Sequence, residues 1–133
     1  MRLADSRIHV RLKLSALWTA VMFCYVYGDF FSLYKPGKLA DISAGRTPVG
    51  PITQGTLVAF AVVVAIPSAM VFLSLVLKPT VARWANIGLG VVYSAIMAIA
   101  LPGAWGFYVL LGCIEIVLTM TVIWYAWTWP REI

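Results

Sequence analysis

Residues 105–129 read WGFYVLLGCIEIVLTMTVIWYAWTW, and this stretch decides the fold. As a helix rising 1.5 Å per residue it is long enough to cross the roughly 30 Å hydrocarbon core of a bilayer. It holds one acidic or basic side chain, Glu115, near its centre. An ionisable group at that depth costs about 2.5–3.5 kcal/mol on insertion scales, so it is retained only where something compensates.

Three further apolar runs of spanning length lie at 14–33, 52–77 and 81–101. Together the four runs predict an all-α integral membrane four-helix bundle occupying the whole chain, 1–133, as one membrane domain. Composition agrees: 62% of the 133 residues are hydrophobic and 11% charged, against about 45–50% and about 25% in soluble domains. A water-soluble fold of this length has too little interior to hide so much apolar surface. The formal net charge of +5 comes from basic residues at the edges of the apolar runs. That placement suits topology control and anionic lipid, not nucleic acid. The basic start precedes an apolar stretch too long for a secretory h-region, so the first span is expected to insert and remain.

The connection 34–51 is the long one, with Pro36, Gly37, Gly45, Pro48, Gly50 and Pro51 as turn signals. Residues 38–44 fit one short interfacial helix. The second connection, 78–80, offers Thr80 as an N-cap or Pro79 as a helix start. The third, 102–104, is a tight uncharged turn. Such short links predict an up-down bundle with spans two–three and three–four as antiparallel neighbours. Residues 7–14 alternate strictly between polar and apolar, a strand signal, but run into the first span, which favours a continuing helix or an interfacial arm.

Arg2, Arg7, Arg11, Lys13, Lys78, Arg83 and Arg131 fall on one side of these spans, and Lys35, Lys38 and Arg46 on the other. This bias predicts both termini in the cytoplasm. Trp18, Trp84, Trp124, Trp127 and Trp129 mark one interface. Phe30, Phe31, Tyr34, Trp105 and Tyr108 mark the other.

Residues 18–38 (WTAVMFCYVYGDFFSLYKPGK), 70–87 (MVFLSLVLKPTVARWANI) and 124–130 (WYAWTWP) resemble an uncharacterised family of small four-span bacterial membrane proteins. The resemblance implies four helices and a bacterial inner-membrane location. It implies no activity, substrate or catalytic residue.

The chemistry must then be read from individual residues. So apolar a setting favours the neutral acid form of Glu115. Such a carboxyl binds a proton reversibly or pairs with a cationic ligand; the structural alternative is a protonated glue residue bonded to a neighbouring helix. Gly112 and Thr119 lie one turn from it on the same helix, the first allowing close approach and the second offering a hydroxyl. Asp29 belongs to a stripe of Ser15, Thr19, Met22, Tyr25, Asp29 and Ser32 expected to face protein. Counting helical rise puts Asp29 about 6 Å inside the boundary and Glu115 about 15 Å, so they suit the mouth and floor of one cavity better than an acid pair. Capping or local pairing of Asp29 with Lys35, Lys38 or an aromatic hydroxyl is its structural alternative.

In the third span Ala82, Asn86, Gly90, Ser94 and Ala98 recur every four residues, a small-xxx-small packing stripe. Tyr93 and Ser94 fall near the level of Glu115. Pro67 frees the carbonyl of Val63 and bends the second span, with room beside Glu115 as a consequence. Cys24 and Cys113 lie at similar depths, so a redox pair serving a quinone is conceivable; buried free cysteines are more often apolar fillers. No catalytic triad, phosphate loop, Cys/His metal spacing or cofactor motif occurs, which weighs against an enzyme.

The expected function is binding or passage of a proton or a small apolar or cationic ligand at Glu115, with Asp29, Tyr25, Tyr93, Ser94 and Thr119 lining the cavity. Asn86, Gly90, Pro67 and Gly112 are expected to pack helices. The rival expectation is an assembly partner for another membrane protein or a second copy of the chain.

Overall fold

The structure, a computed structural model, describes residues 2–48 and 50–130. Its first helix, α1, is Val10–Ser32. The alternating segment 7–14 therefore forms no strand. His9 caps the helix, its Nδ1 accepting from the Arg11 amide at 3.1 Å, and Val10, Leu14, Trp18, Val21 and Gly28 form one buried face. Packing along that face overrides the two-residue period.

The long connection holds α2 (Lys38–Ser43) and a minimal antiparallel hairpin of β1 (Arg46–Thr47) and β2 (Gly50–Pro51). Gly45 (φ 77°) and Gly50 (φ 128°) take backbone angles that L side chains rarely adopt. Three helices follow: α3 (Gln54–Val76), α4 (Pro79–Ala100) and α5 (Gly106–Trp127). Thr53 caps α3 through the Thr56 amide at 3.1 Å. At the next turn the helix starts on Pro79, with Lys78 rather than Thr80 in the capping position. α1, α3, α4 and α5 are each long and apolar enough to cross a membrane.

The four long helices run up and down. Arg11 and Ser15 at the start of α1 bond the Ser74 and Val71 carbonyls near the end of α3, while Gly28 near the end of α1 meets Leu111 near the start of α5. α5 packs against both α1 and α4, and α3 lies on the other flank of α1. The tight turn at 78 does not make α3 and α4 close neighbours as expected; they touch only over a short stretch. Tyr93 reaches across that gap and donates to the Val63 carbonyl at 2.6 Å, so its ring acts as a spacer. Every residue from 57 to 66 of α3 is exposed within the chain. In lipid such apolar side chains have little drive to seek a protein partner.

The core sits at the end that carries the chain termini. Leu14, Trp18, Val21, Val122 and Ala126 are wholly buried there, with Met70 and Tyr93. Trp18 Nε1 donates to Asn86 Oδ1 at 2.7 Å, Asn86 Nδ2 donates to the Ala82 carbonyl at 2.7 Å, and Ser74 Oγ approaches Asn86 Oδ1 at 3.4 Å. One buried amide thus ties α1, α3 and α4 together. Basic residues at this end hold helix termini: Arg11 donates to Ser74, and Arg83 to the Ala126 and Trp127 carbonyls at 3.1 Å each. These last-turn carbonyls have no partner within their helices and attract positive charge. The same cations lie over aromatic rings, Arg11 over Trp129 and Arg83 over Trp84 and Trp127. Arg131, counted above for orientation, lies outside the described residues.

Two expected stripes are displaced. On α1 the wholly buried face is Val10, Leu14, Trp18, Val21 and Gly28; the polar stripe forms its half-buried flank, and Asp29 is exposed. Thr19 and Ser32 satisfy their hydroxyls on carbonyls four residues back, both at 2.9 Å, so they need no second helix. On α4 the small-residue stripe is buried at Ala82, Asn86 and Gly90, half-buried at Ser94 and exposed at Ala98. A four-residue step overshoots the 3.6-residue turn by about 40°, so the stripe winds out of the interface. Tyr93 and Met97 replace it.

Candidate functional site

On α5 the residues Gly112, Glu115, Thr119, Val122 and Ala126 are buried, a three-and-four spacing that makes one inward face. Glu115 therefore points into the bundle and is 4% exposed. Its Oε1 is buried with no hydrogen-bond partner, alone in this among the buried side-chain polar atoms of the described residues. A buried polar atom left unpaired costs about 1–3 kcal/mol, so each such atom in a folded protein calls for an explanation.

The explanation lies beside it. A cavity of about 10 Å³ opens against Glu115, lined by Cys24, Tyr25, Gly28 and Asp29 of α1, Met97 of α4, and Tyr108 and Leu111 of α5. That is about the smallest volume that holds one water. Glu115 lies a turn deeper than Leu111, which abuts Gly28, so about 6–8 Å of helical rise separates it from Asp29. Asp29 is exposed where Glu115 is buried. The two acids thus line one cavity from opposite levels.

Gly90 and Gly112 bring α4 and α5 into close contact next to this site. A Cβ on Gly90 would fall 2.6 Å from Ile123 Cγ1 and 3.2 Å from the Thr119 carbonyl, and one on Gly112 would run into the Leu101 side chain and lie 2.9 Å from Met97 Sδ. Gly112 thereby brings the Met97 side chain against the floor of the cavity.

Of the six residues expected to line the cavity, Glu115, Asp29 and Tyr25 do so. Thr119 does not reach the carboxyl. Its hydroxyl pairs with Ser94 Oγ at 2.6 Å and with the Glu115 backbone carbonyl at 2.9 Å, so Ser94 and Thr119 form an α4–α5 clasp. Tyr93 spends its hydroxyl on Val63, the carbonyl that Pro67 leaves without an amide. Pro67 is wholly buried and lines no part of the cavity. The carbonyl that Pro67 frees is sealed by Tyr93, and no room opens from it beside Glu115. The thiols are both free; Cys24 lines the cavity and Cys113 is exposed.

Tyr108, an interfacial anchor by its sequence position, also lines the cavity. Its position seven residues before Glu115 was the available signal, because two turns return a helix to the same face. Among the described residues no three His, Cys, Asp or Glu side chains cluster as a metal site.

A model of a family of unknown function (DUF6326) matches residues 1–133. The chain belongs to that family. No curated protein and no solved structure matches it. Membership in DUF6326 brings no substrate or activity with it, so chemistry at the Glu115 cavity rests on geometry alone.

Proposed function

We propose that this small membrane protein takes up and releases a proton at Glu115, through the cavity whose mouth is Asp29. One observation carries the reading: a buried carboxyl oxygen without a protein partner, facing a space of about one water. A glue residue would spend its carboxyl on a neighbouring helix, and Glu115 spends it on none of the described residues. The volume favours a proton carried by water over an apolar or organic cationic ligand, since small-molecule sites run to about 300–1,000 Å³. Tyr25 and Tyr108 line the path between the acids. Towards the termini the bundle is closed by Trp18, Asn86 and Tyr93. With the basic residues of that end in a bacterial cytoplasm, Asp29 faces the opposite side.

The test is reversible proton binding by the chain in liposomes, read from the infrared carboxyl band as the pH is varied, comparing the native chain with Glu115→Gln and Glu115→Leu. Both variants are expected to lose the titrating carboxyl of the bundle interior. Because Oε1 has no partner to lose, Glu115→Leu should unfold no more easily than the native protein. A native carboxyl titration in Glu115→Gln refutes the reading, and a loss of stability above about 2 kcal/mol in Glu115→Leu assigns the residue to packing.

A further inference from the structure

The long connection borders a second, open pocket of about 400 Å³, lined by Lys35, Pro36, Lys38, Asp41, Arg46, Thr47 and Pro48. This volume lies within the usual range for small-molecule sites. Three cations face it against one acid. Arg46 and Asp41 neutralise each other through an ion pair at 3.0 Å, so no acid of the lining is left for Lys35 and Lys38; Lys38 is near enough to act on Asp29 of α1 without forming an ion pair with it among the described residues. Lys35 is held over the Trp105 ring at 5.5 Å. The Lys38 side chain makes no hydrogen bond and no ion pair among the described residues.

The frame around these side chains is fixed by the backbone, not by the charges. Lys38 N bonds the Lys35 carbonyl at 3.1 Å, and Ile52 N the Gly45 carbonyl at 2.8 Å. β1 pairs with β2, and Thr47 Oγ1 bonds the Gly50 carbonyl. Two like charges held towards one cavity repel each other unless an anion joins them. A single carboxylate balances one of them. A phosphomonoester, carrying about 1.5–2 negative charges at pH 7 with several acceptor oxygens, balances both.

We propose that this pocket binds a phosphomonoester group, with Lys35 and Lys38 as its charge partners and Arg46 as a further donor. The pocket flanks the ends of two membrane-spanning helices, so the group is supplied either by a lipid headgroup or by a small soluble phosphate.

Two probes separate these sources, both with the full chain in phosphatidylcholine nanodiscs. Glycerol 3-phosphate is titrated by calorimetry, and phosphatidic acid is doped into the disc and counted by native mass spectrometry. Saturable binding of either probe is expected, and which of them saturates names the source. Lys35→Gln/Lys38→Gln should weaken it at least tenfold, whereas Lys35→Arg/Lys38→Arg should hold it within about threefold. Asp41→Asn should tighten it by releasing Arg46, a gain that a purely structural role for the ion pair does not give. Exposed pairs of this kind contribute little to stability, so that variant keeps the fold. Absence of saturable binding for both probes, or native affinity in the double Gln variant, overturns the proposal. Neither outcome bears on proton binding at Glu115.

Discussion

Tyr93→Phe tests whether the carbonyl that Pro67 frees in α3 is held by a side chain from another helix. Pro67 has no amide, so the Val63 carbonyl has no partner inside α3. In a bilayer, water is not at hand to replace it. Tyr93 supplies the missing donor at 2.6 Å while its ring packs edge-on against Trp18 and Tyr25. Phenylalanine keeps the ring and deletes only the hydroxyl. Interhelical hydrogen bonds in membranes average about 0.6 kcal/mol and reach about 1.7. The same loss, counted instead as the desolvation cost of an orphaned carbonyl, is about 1–3 kcal/mol. The expected loss is therefore about 1–2 kcal/mol.

The decisive measurement is a double-mutant cycle with Pro67→Ala. That substitution returns an amide to the Val63 carbonyl, so Tyr93→Phe should cost close to nothing in its background. The coupling between the two sites should then approach the full cost of the single variant. Reversible unfolding in mixed micelles, followed by helical circular dichroism, reads all four corners. Equal losses with and without Pro67 refute the reasoning, because Tyr93 would then contribute through its ring and not through the freed carbonyl.

Gly90→Ala should destabilise by about 1–3 kcal/mol, the usual cost of overpacking, since its Cβ meets Ile123 and the Thr119 backbone. Gly88→Ala, where nothing lies within 4 Å, should be neutral or slightly stabilising; the same unfolding assay compares them. Arg83→Gln removes two bonds to the last carbonyls of α5 and two ring contacts. It should fray that end, costing about 1–2 kcal/mol, seen as faster amide exchange at residues 124–127 and no change near Glu115.

The sequence by itself determined the number, length and alternating direction of the helices. Apolar runs of spanning length and links of a few residues leave little freedom, because a backbone in lipid must satisfy its own hydrogen bonds. It also located the weak points: a lone acid at Glu115, and a freed carbonyl at Val63 that needed a donor. Which donor arrived was not legible. Tyr93, Ser94 and Thr119 all lie near the right depth, and only their azimuths around α4 and α5 decided that Tyr93 serves α3 while Ser94 and Thr119 clasp each other. Azimuth follows from helix pairing, and pairing depends on where large rings and glycines fall on facing helices. Asn86 read as one link in a small-residue stripe, yet the structure makes it the joint of three helices, because Trp18 on α1 reaches it across the bundle. In the same way, tertiary packing alone set Tyr25, Asp29, Tyr108 and Glu115 around one small cavity. Depth along a helix is written in the residue count; what a side chain faces is fixed only when the helices meet.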